Sequence, residues 1–81
     1  MKIRFSRRAW RDWQSLPREV QERLSSKLKL FSTDPLRYAV KLTDAKVGQY
    51  RFRIGDYRVV FDLAGDEIQV LEVGHRKEIY R

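Results

Sequence analysis

The sequence predicts an α+β fold in which helices cover one face of an antiparallel sheet, and three observations support this. Residues 2–5 alternate polar and apolar side chains, residues 7–32 carry apolar side chains at helical spacing, and residues 49–73 return to alternation with two turns. The predicted order is therefore β-α-α-β-β-β: an N-terminal strand, an αα-hairpin and a three-stranded antiparallel meander. At 81 residues the chain has room for one modest core, so we expect a single domain over residues 1–81.

The N-terminal half is expected to form one short strand followed by two helices. Lys2–Phe5 suits a strand that joins the sheet at an edge. Ser6 can cap a helix that runs from Arg7 to about Ser15, with an apolar stripe of Ala9, Trp10, Trp13 and Leu16. Pro17 suits the first residue of a second helix that ends near Ser32, with a stripe of Val20, Leu24, Leu28 and Phe31. The helical spacing of the two tryptophans favours a place in the core or at a partner surface over stacking on bases.

The C-terminal half is expected to form a loop and then three strands. Residues 35–48 are irregular, with a short extended piece around 38–42, and strands are predicted at 49–54, 57–63 and 67–73. Gly55-Asp56 is a two-residue loop with glycine first, which suits a type II′ turn. The resulting register pairs Ile54 with Tyr57, Arg53 with Arg58, and Phe52 with Val59. Residues 64–66 form the second turn, and Gly74 is expected to end the last strand and begin a tail.

Alternation along these strands predicts an apolar face and an opposite face, the arginine face, which we define by Arg51, Arg53 and Arg58. The apolar face comprises Tyr50, Phe52, Ile54, Tyr57, Val59 and Phe61, whereas Leu71 and Val73 are expected on the arginine face. Three neighbouring guanidinium groups repel one another unless an anion lies among them. One candidate is an acid of the same fold, such as Asp62, Glu67 or Glu72. The other candidate, a phosphate backbone, is favoured because the two hairpin strands carry acids only near their ends.

The charge balance and the residue types missing from the chain limit the function classes. Lys and Arg total 18 against 11 Asp and Glu, a formal net charge of +7, which suits nucleic acid, an acidic protein or an anionic membrane as partner. With no cysteine and one histidine, the chain lacks a disulfide framework and the ligands of a protein-only zinc site, so we expect no cofactor and no metal. No apolar run is typical of a signal peptide or a membrane span, and the cytoplasm is the expected compartment.

The tail after Gly74 brings further polar chemistry next to the hairpin. His75 supplies an imidazole, a group suited to proton transfer, while Arg76 and Tyr80 add a guanidinium and a phenol. A frayed basic terminus is the alternative interpretation of such a segment.

Taken together, these motifs resemble the RelE/ParE superfamily of type II toxins over essentially the whole chain. The segments that carry the resemblance are Phe5–Ala9, Val40–Leu42, Gly48–Phe61 and Val73–Tyr80. The RelE branch of the superfamily implies a ribosome-dependent, metal-independent endoribonuclease (an mRNA interferase) that cleaves messenger RNA in the ribosomal A site. It also implies a cognate antitoxin, and operator DNA as an indirect partner through the toxin–antitoxin complex. A ParE-like inhibitor of DNA gyrase without nuclease activity and an antitoxin-binding co-repressor are the alternatives.

The resemblance implies a role for each residue of the candidate site. Arg51, Arg53 and Arg58 would hold the phosphoryl oxygens, and Arg76 would stabilise the leaving oxygen. Tyr80 would act as base or position the 2′-hydroxyl, with His75 as the reserve acid or base. The best-known members carry lysine at the positions of Arg51 and Arg53; because arginine keeps its proton, neither is expected to act as base here. Four further cations are expected to contact RNA: Lys41, Lys46, Lys77 and Arg81.

Overall fold

The computed structural model describes residues 1–44 and 46–79, which form a five-stranded sheet and the helices that pack on it. The elements are β1 (Lys2–Phe5), α1 (Arg7–Gln14), α2 (Arg18–Phe31), α3 (Pro35–Tyr38), β2 (Ala39–Lys41), β3 (Tyr50–Ile54), β4 (Tyr57–Ala64), β5 (Glu67–His75) and α4 (Arg76–Ile79). The strand order is β1-β5-β4-β3-β2, with β1 parallel to β5 and the other neighbours antiparallel. The predicted α+β class and the edge position of the first strand are both confirmed.

Helices α1 and α2 form the predicted hairpin. Ser6 caps α1, because its Oγ accepts a hydrogen bond from the Ala9 amide at 3.0 Å. Pro17 precedes α2 as its N-cap, so that the helix begins one residue later than predicted, at Arg18. The predicted stripe of α2 is buried in the core: Val20, Leu24, Leu28 and Phe31. No helix in residues 1–44 and 46–79 is long and apolar enough to cross a membrane.

The two tryptophans of α1 differ in their burial. Trp13 packs against the core, whereas Trp10 is 50% exposed. The ring of Phe5 meets both indoles edge to face, with centroids 5.9 Å from Trp10 and 5.4 Å from Trp13. Because α1 packs on β1 and β5 at the margin of the sheet, its outer side faces solvent. The core placement is therefore correct for Trp13 only.

The β3–β4 hairpin has the predicted register. The observed pairs are Ile54 with Tyr57, Arg53 with Arg58, and Phe52 with Val59. Gly55 has a φ of +60° and Asp56 has a negative φ, the combination that a type II′ turn requires. The six side chains predicted on the apolar face all belong to the core or pack against it.

Residues 35–48 contain more regular structure than the predicted loop. Pro35 opens the short helix α3, since its fixed φ suits a first helical turn. The extended piece expected around residues 38–42 is the edge strand β2, which pairs antiparallel with β3. The three-stranded meander thus becomes four antiparallel strands, and the loop between β2 and β3 passes over β4 at Gly48.

Strand β5 differs from its prediction in two respects. It continues through Gly74 to His75, because both residues pair with β4. A bulge near Val60 shifts the β4–β5 register by one residue, and Val73 consequently lies opposite Val59 in the core, 4% exposed. The placement of Val73 on the arginine face is therefore wrong, whereas Leu71 does lie there, beside Gly48 and Val60.

Candidate functional site

The arginine face of the β3–β4 hairpin brings together the three guanidinium-bearing residues that the sequence predicts. Arg53 lies directly opposite Arg58, and Arg51 lies opposite Val60. The burial of these side chains increases from Arg53, which is exposed, through Arg51, which is half-buried, to Arg58, which is buried. The face is therefore a graded cationic surface, with one cation set deep and one at the rim.

Arg58 is the most constrained of these cations. It is 4% exposed, although alternation places it on the face opposite the core. Its Nη1 donates to the carbonyl oxygens of Gly55 (3.0 Å) and Tyr57 (2.9 Å), which hold the guanidinium close to its own hairpin. Its Nε is buried and has no hydrogen-bond partner among the described residues. Opposite Arg58, Gly74 has no side chain, and α4 packs against β4 as well as β5. Arg58 is therefore a buried cation that two hydrogen bonds hold in place, and its Nε–H group remains as an additional donor.

Each of the three acids considered as partners for this face contacts another residue. Asp62 Oδ1 accepts from the Gln49 amide at 2.8 Å. Glu67 pairs with Arg4 at 3.7 Å, and Glu72 pairs with Arg8 at 2.7 Å. Within residues 1–44 and 46–77, no carboxylate forms an ion pair with Arg53 or Arg58.

The tail is ordered against the hairpin as far as the structure describes it. The Arg76 amide donates to the Asp56 carbonyl at 2.8 Å, which ties the start of α4 to the hairpin turn. The His75 imidazole meets the Tyr57 ring edge to face at 5.6 Å. A frayed terminus is therefore wrong for residues 75–79. Tyr80 and Arg81 lie outside the described residues.

His75 has a defined hydrogen-bonding state when neutral. Its Nδ1 accepts from the Lys77 amide at 3.2 Å, so the neutral ring carries its proton on Nε2. In this arrangement the Nε2–H group can donate a hydrogen bond to a bound molecule.

The lysines expected to contact RNA are divided between the two sides of the sheet. Lys46 is exposed on the loop that passes over the arginine face, and Lys77 is exposed on α4. Lys41 is exposed too, but it pairs with Tyr50 and therefore projects toward the apolar side at the outer edge. Lys46 and Lys77 thus belong to segments that adjoin the arginine face or its tail, whereas Lys41 lies on the other side of the sheet.

Two residues at this site were not singled out from the sequence. Gln49 anchors the loop that carries Lys46: its amide donates to Asp62, and its Oε1 accepts from the Leu63 amide at 2.9 Å. Asp12 of α1 accepts from the Val73 amide at 3.1 Å. Gln49 falls within a segment that carries the resemblance but has no role assigned there, and Asp12 belongs to no motif. For Asp12, the one available signal was that a four-residue first strand cannot pair with the whole length of the last one.

A second feature, the apolar groove, lies at the helical side of the molecule. It has a volume of about 240 Å³ and is lined by Ile3, Phe5, Trp10, Trp13, Ser25, Leu28 and Lys29.

Among the described residues, no group of three or more His, Cys, Asp or Glu side chains could hold a metal ion.

The hairpin, the tail and the α+β topology are consistent with the resemblance to type II toxins that the motifs carry, and comparison with known proteins supports it. The family model for the ParE toxin of the type II toxin–antitoxin system parDE matches residues 3–80. The chain therefore belongs to this toxin family, within the RelE/ParE superfamily that its motifs indicate.

Individual relatives support the same assignment. Toxin RelE3 of Methanocaldococcus jannaschii is 29% identical over 84 residues, covering 99% of this chain and 96% of the relative. A chain of the RelBE2 toxin–antitoxin complex of Mycobacterium tuberculosis is similar at a TM-score of 0.82 and 27% identity, and the match covers 93% of this chain and 96% of that one. The intact Escherichia coli RelBE complex contains a chain similar at a TM-score of 0.75 and 25% identity, with 91% and 94% coverage.

Proposed function

We propose that this toxin is a ribosome-dependent endoribonuclease that cleaves messenger RNA through attack of a 2′-hydroxyl on the adjacent phosphate. The observation that carries the proposal is Arg58, a buried cation whose Nε is unpartnered among the described residues and which forms no ion pair with a carboxylate of residues 1–44 and 46–77. Two carbonyl oxygens satisfy this buried cation only in part, and an anion bound at the spare Nε would offset the remaining cost of burial. A phosphate in the act of substitution carries extra negative charge and fits that requirement.

The reaction needs a proton acceptor, charge stabilisation and a proton donor. The 2′-hydroxyl gives up its proton, its oxygen bonds to phosphorus, and the P–O5′ bond breaks as the 5′-oxygen takes a proton. The products are a 2′,3′-cyclic phosphate and a 5′-hydroxyl, so atoms and charge balance without a metal ion. The buried Arg58 and the two cations beside it, Arg51 and Arg53, would stabilise the phosphoryl oxygens.

The tail would supply the remaining groups. Arg76 follows His75 directly and would stabilise the leaving 5′-oxygen. His75 would be the reserve acid or base, and only its imidazolium form could give a proton to that oxygen. Tyr80 would then receive or orient the 2′-hydroxyl proton. A guanidinium stays protonated, so no arginine here would serve as the base.

This set of groups contains no strong acid–base pair, which gives the ribosome a physical role. Holding the RNA in line for attack lowers the barrier without any additional catalytic group. Lys46 and Lys77, both exposed beside the site, would contribute phosphate contacts, and Arg81 would extend them. Lys41 lies at the opposite side of the sheet edge and would act by general attraction.

The proposed regulator is a cognate antitoxin. The similar solved structures include RelBE toxin–antitoxin complexes, and the basic arginine face and the apolar groove suit an acidic amphipathic segment that is disordered when free. The complex of toxin and antitoxin would bind operator DNA through the antitoxin. The cytoplasm, where ribosomes and messenger RNA meet, is the proposed compartment.

The family model's ParE description favours one alternative, a DNA gyrase inhibitor without nuclease activity. Such a protein needs no aligned set of phosphate-binding groups and would tolerate replacement of Arg58. A catalytically weak antitoxin-binding co-repressor is the other alternative.

Two parallel assays separate these functions. Purified toxin is added to ribosomes that are translating a defined messenger RNA, and toeprinting locates any cleavage; the same preparation is added to a gyrase supercoiling reaction. We expect cleavage at the A site, dependent on ribosomes, and unaltered supercoiling. Inhibited supercoiling with intact messenger RNA would replace the nuclease proposal by the gyrase alternative.

A further inference from the structure

The outer edge of β5 changes partner half-way along its length. β1 pairs with residues 67–70, and the chain leaves the sheet where the Ser6 amide donates to the Val70 carbonyl at 2.9 Å. From Leu71 to His75, β5 has β4 on one side, and no strand of the described part of the chain lies on the other. The backbone groups on that outer side therefore need different partners.

Helix α1 provides those partners through its side chains. Ser6 Oγ donates to the Leu71 carbonyl at 3.2 Å, and Asp12 Oδ2 accepts from the Val73 amide at 3.1 Å. Between them, Arg8 pairs with the Glu72 side chain at 2.7 Å. The Arg8 side chain is exposed, so its ion pair contributes little. The Asp12 bond is partly buried and satisfies an amide of a core residue, which makes its loss more costly.

The residues that follow Val73 place the tail beside the arginine face. Gly74 lies opposite Arg58, and His75 lies opposite Tyr57. The next amide, of Arg76, bonds to Asp56 in the hairpin turn. Asp12 thus fixes β5 from the outside immediately before the segment that positions His75 and Arg76.

We propose that Asp12 is a positioning residue for the cleavage reaction: by fixing the Val73 amide, it sets where His75 and Arg76 lie relative to Arg58. This inference rests on the proposed nuclease function. Asp12 would not touch the RNA; it would act through the end of β5.

The test uses three single variants of the full chain that each remove one negative charge: Asp12→Ala, Asp12→Asn and Glu72→Gln. The long-range attraction to RNA changes equally in all three variants, so differences between their cleavage rates report effects on local structure. We expect Asp12→Ala to lower the maximal single-turnover cleavage rate on ribosomes by about tenfold, since small misplacements of reacting groups are costly. The toxin concentration at half-maximal rate should stay unchanged. Asp12→Asn keeps a side-chain oxygen that can accept from Val73, and it should cleave within about threefold of the unaltered protein.

Amide hydrogen exchange of the free toxin gives a readout that needs no RNA. Asp12→Ala should accelerate exchange at Val73, Gly74 and His75 by at least about tenfold, while the β3 amides keep their rates. Val20→Ala, a core truncation in α2, controls for general destabilisation and should not produce this local pattern.

Three outcomes would overturn the inference: an Asp12→Ala protein that cleaves normally, an Asp12→Asn protein as impaired as Asp12→Ala, or exchange that rises evenly through all strands. An unaltered toxin that cleaves no RNA would instead remove the proposed function. The exchange pattern would then decide by itself whether Asp12 fixes the end of β5.

Discussion

Replacing Arg58 by methionine separates its proposed catalytic role from its contribution to stability. Methionine fills much of the same volume without the charge, whereas alanine would leave a cavity at a site that is 4% exposed. The guanidinium donates two hydrogen bonds to carbonyls, and bonds from charged groups contribute roughly 1.5–3 kcal/mol each. Two contributions destabilise the folded state: the unpartnered Nε costs about 1–3 kcal/mol, and the desolvation of the charge costs several kcal/mol. Because these opposing contributions are of similar size, we expect the free energy of unfolding to change by less than about 1 kcal/mol.

The same variant should lose most of its activity. Removal of one preorganised donor to a developing negative charge typically lowers the rate by about 100- to 1,000-fold. Urea unfolding measures the stability, and single-turnover cleavage on programmed ribosomes measures the activity. Arg23→Met, which removes an exposed arginine of α2, is the control for the change in net charge. Cleavage within about threefold of the unaltered protein would refute the role of Arg58 in stabilising the transition state. A loss of stability above about 3 kcal/mol would show instead that the buried cation is a structural requirement.

Three further predictions test the surroundings of the site. In urea unfolding, Gly48→Ala should lower the free energy of unfolding by about 1–3 kcal/mol more than Gly65→Ala does. A Cβ at Gly48 would lie 2.6 Å from Val60 Cγ1, whereas a Cβ at Gly65 would meet no atom within 4 Å. Equal effects of the two substitutions would mean that the loop over β4 moves aside. A chain that ends at Gly74 should fold, since the described core ends at Val73, but should not cleave RNA; loss of its cooperative thermal transition would assign the tail to the core. The affinity of the toxin for its antitoxin should fall by less than about tenfold between about 0.1 M and 1 M salt, because salt does not screen apolar burial in the groove. Dissociation of the complex in moderate salt would show that the contact is only electrostatic.

The parts of the fold that follow from local patterns could be predicted from the sequence. The turn chemistry of Gly55-Asp56 determines the β3–β4 register, and that register determines which side chains join Arg58 on one face. The helix cap at Ser6 follows equally from local preference. These features depend on residues close in sequence, so that a single chain is enough to infer them.

What could not be predicted depends on contacts between distant segments. The bulge near Val60 reverses the side-chain alternation of β5 and moves Val73 into the core, and no local signal marks it. Gly74 would break an isolated strand, but pairing with Arg58 keeps it in β5. The burial of Arg58 and the bond from Val73 to Asp12 depend on where the tail and α1 pack. For the candidate site, the sequence therefore predicted which residues share the hairpin face, but not their burial or their contacts.

The most direct test of the proposed chemistry removes the proposed nucleophile from the RNA. Ribosomes are programmed with a messenger RNA whose A-site codon contains either ribose or 2′-deoxyribose at its three nucleotides, and single-turnover cleavage by the unaltered toxin is followed. The mechanism predicts cleavage of the ribose substrate with a 2′,3′-cyclic phosphate at the new 3′ end, and no cleavage of the deoxyribose substrate. Equal cleavage of both substrates, or no cleavage of either, would contradict it.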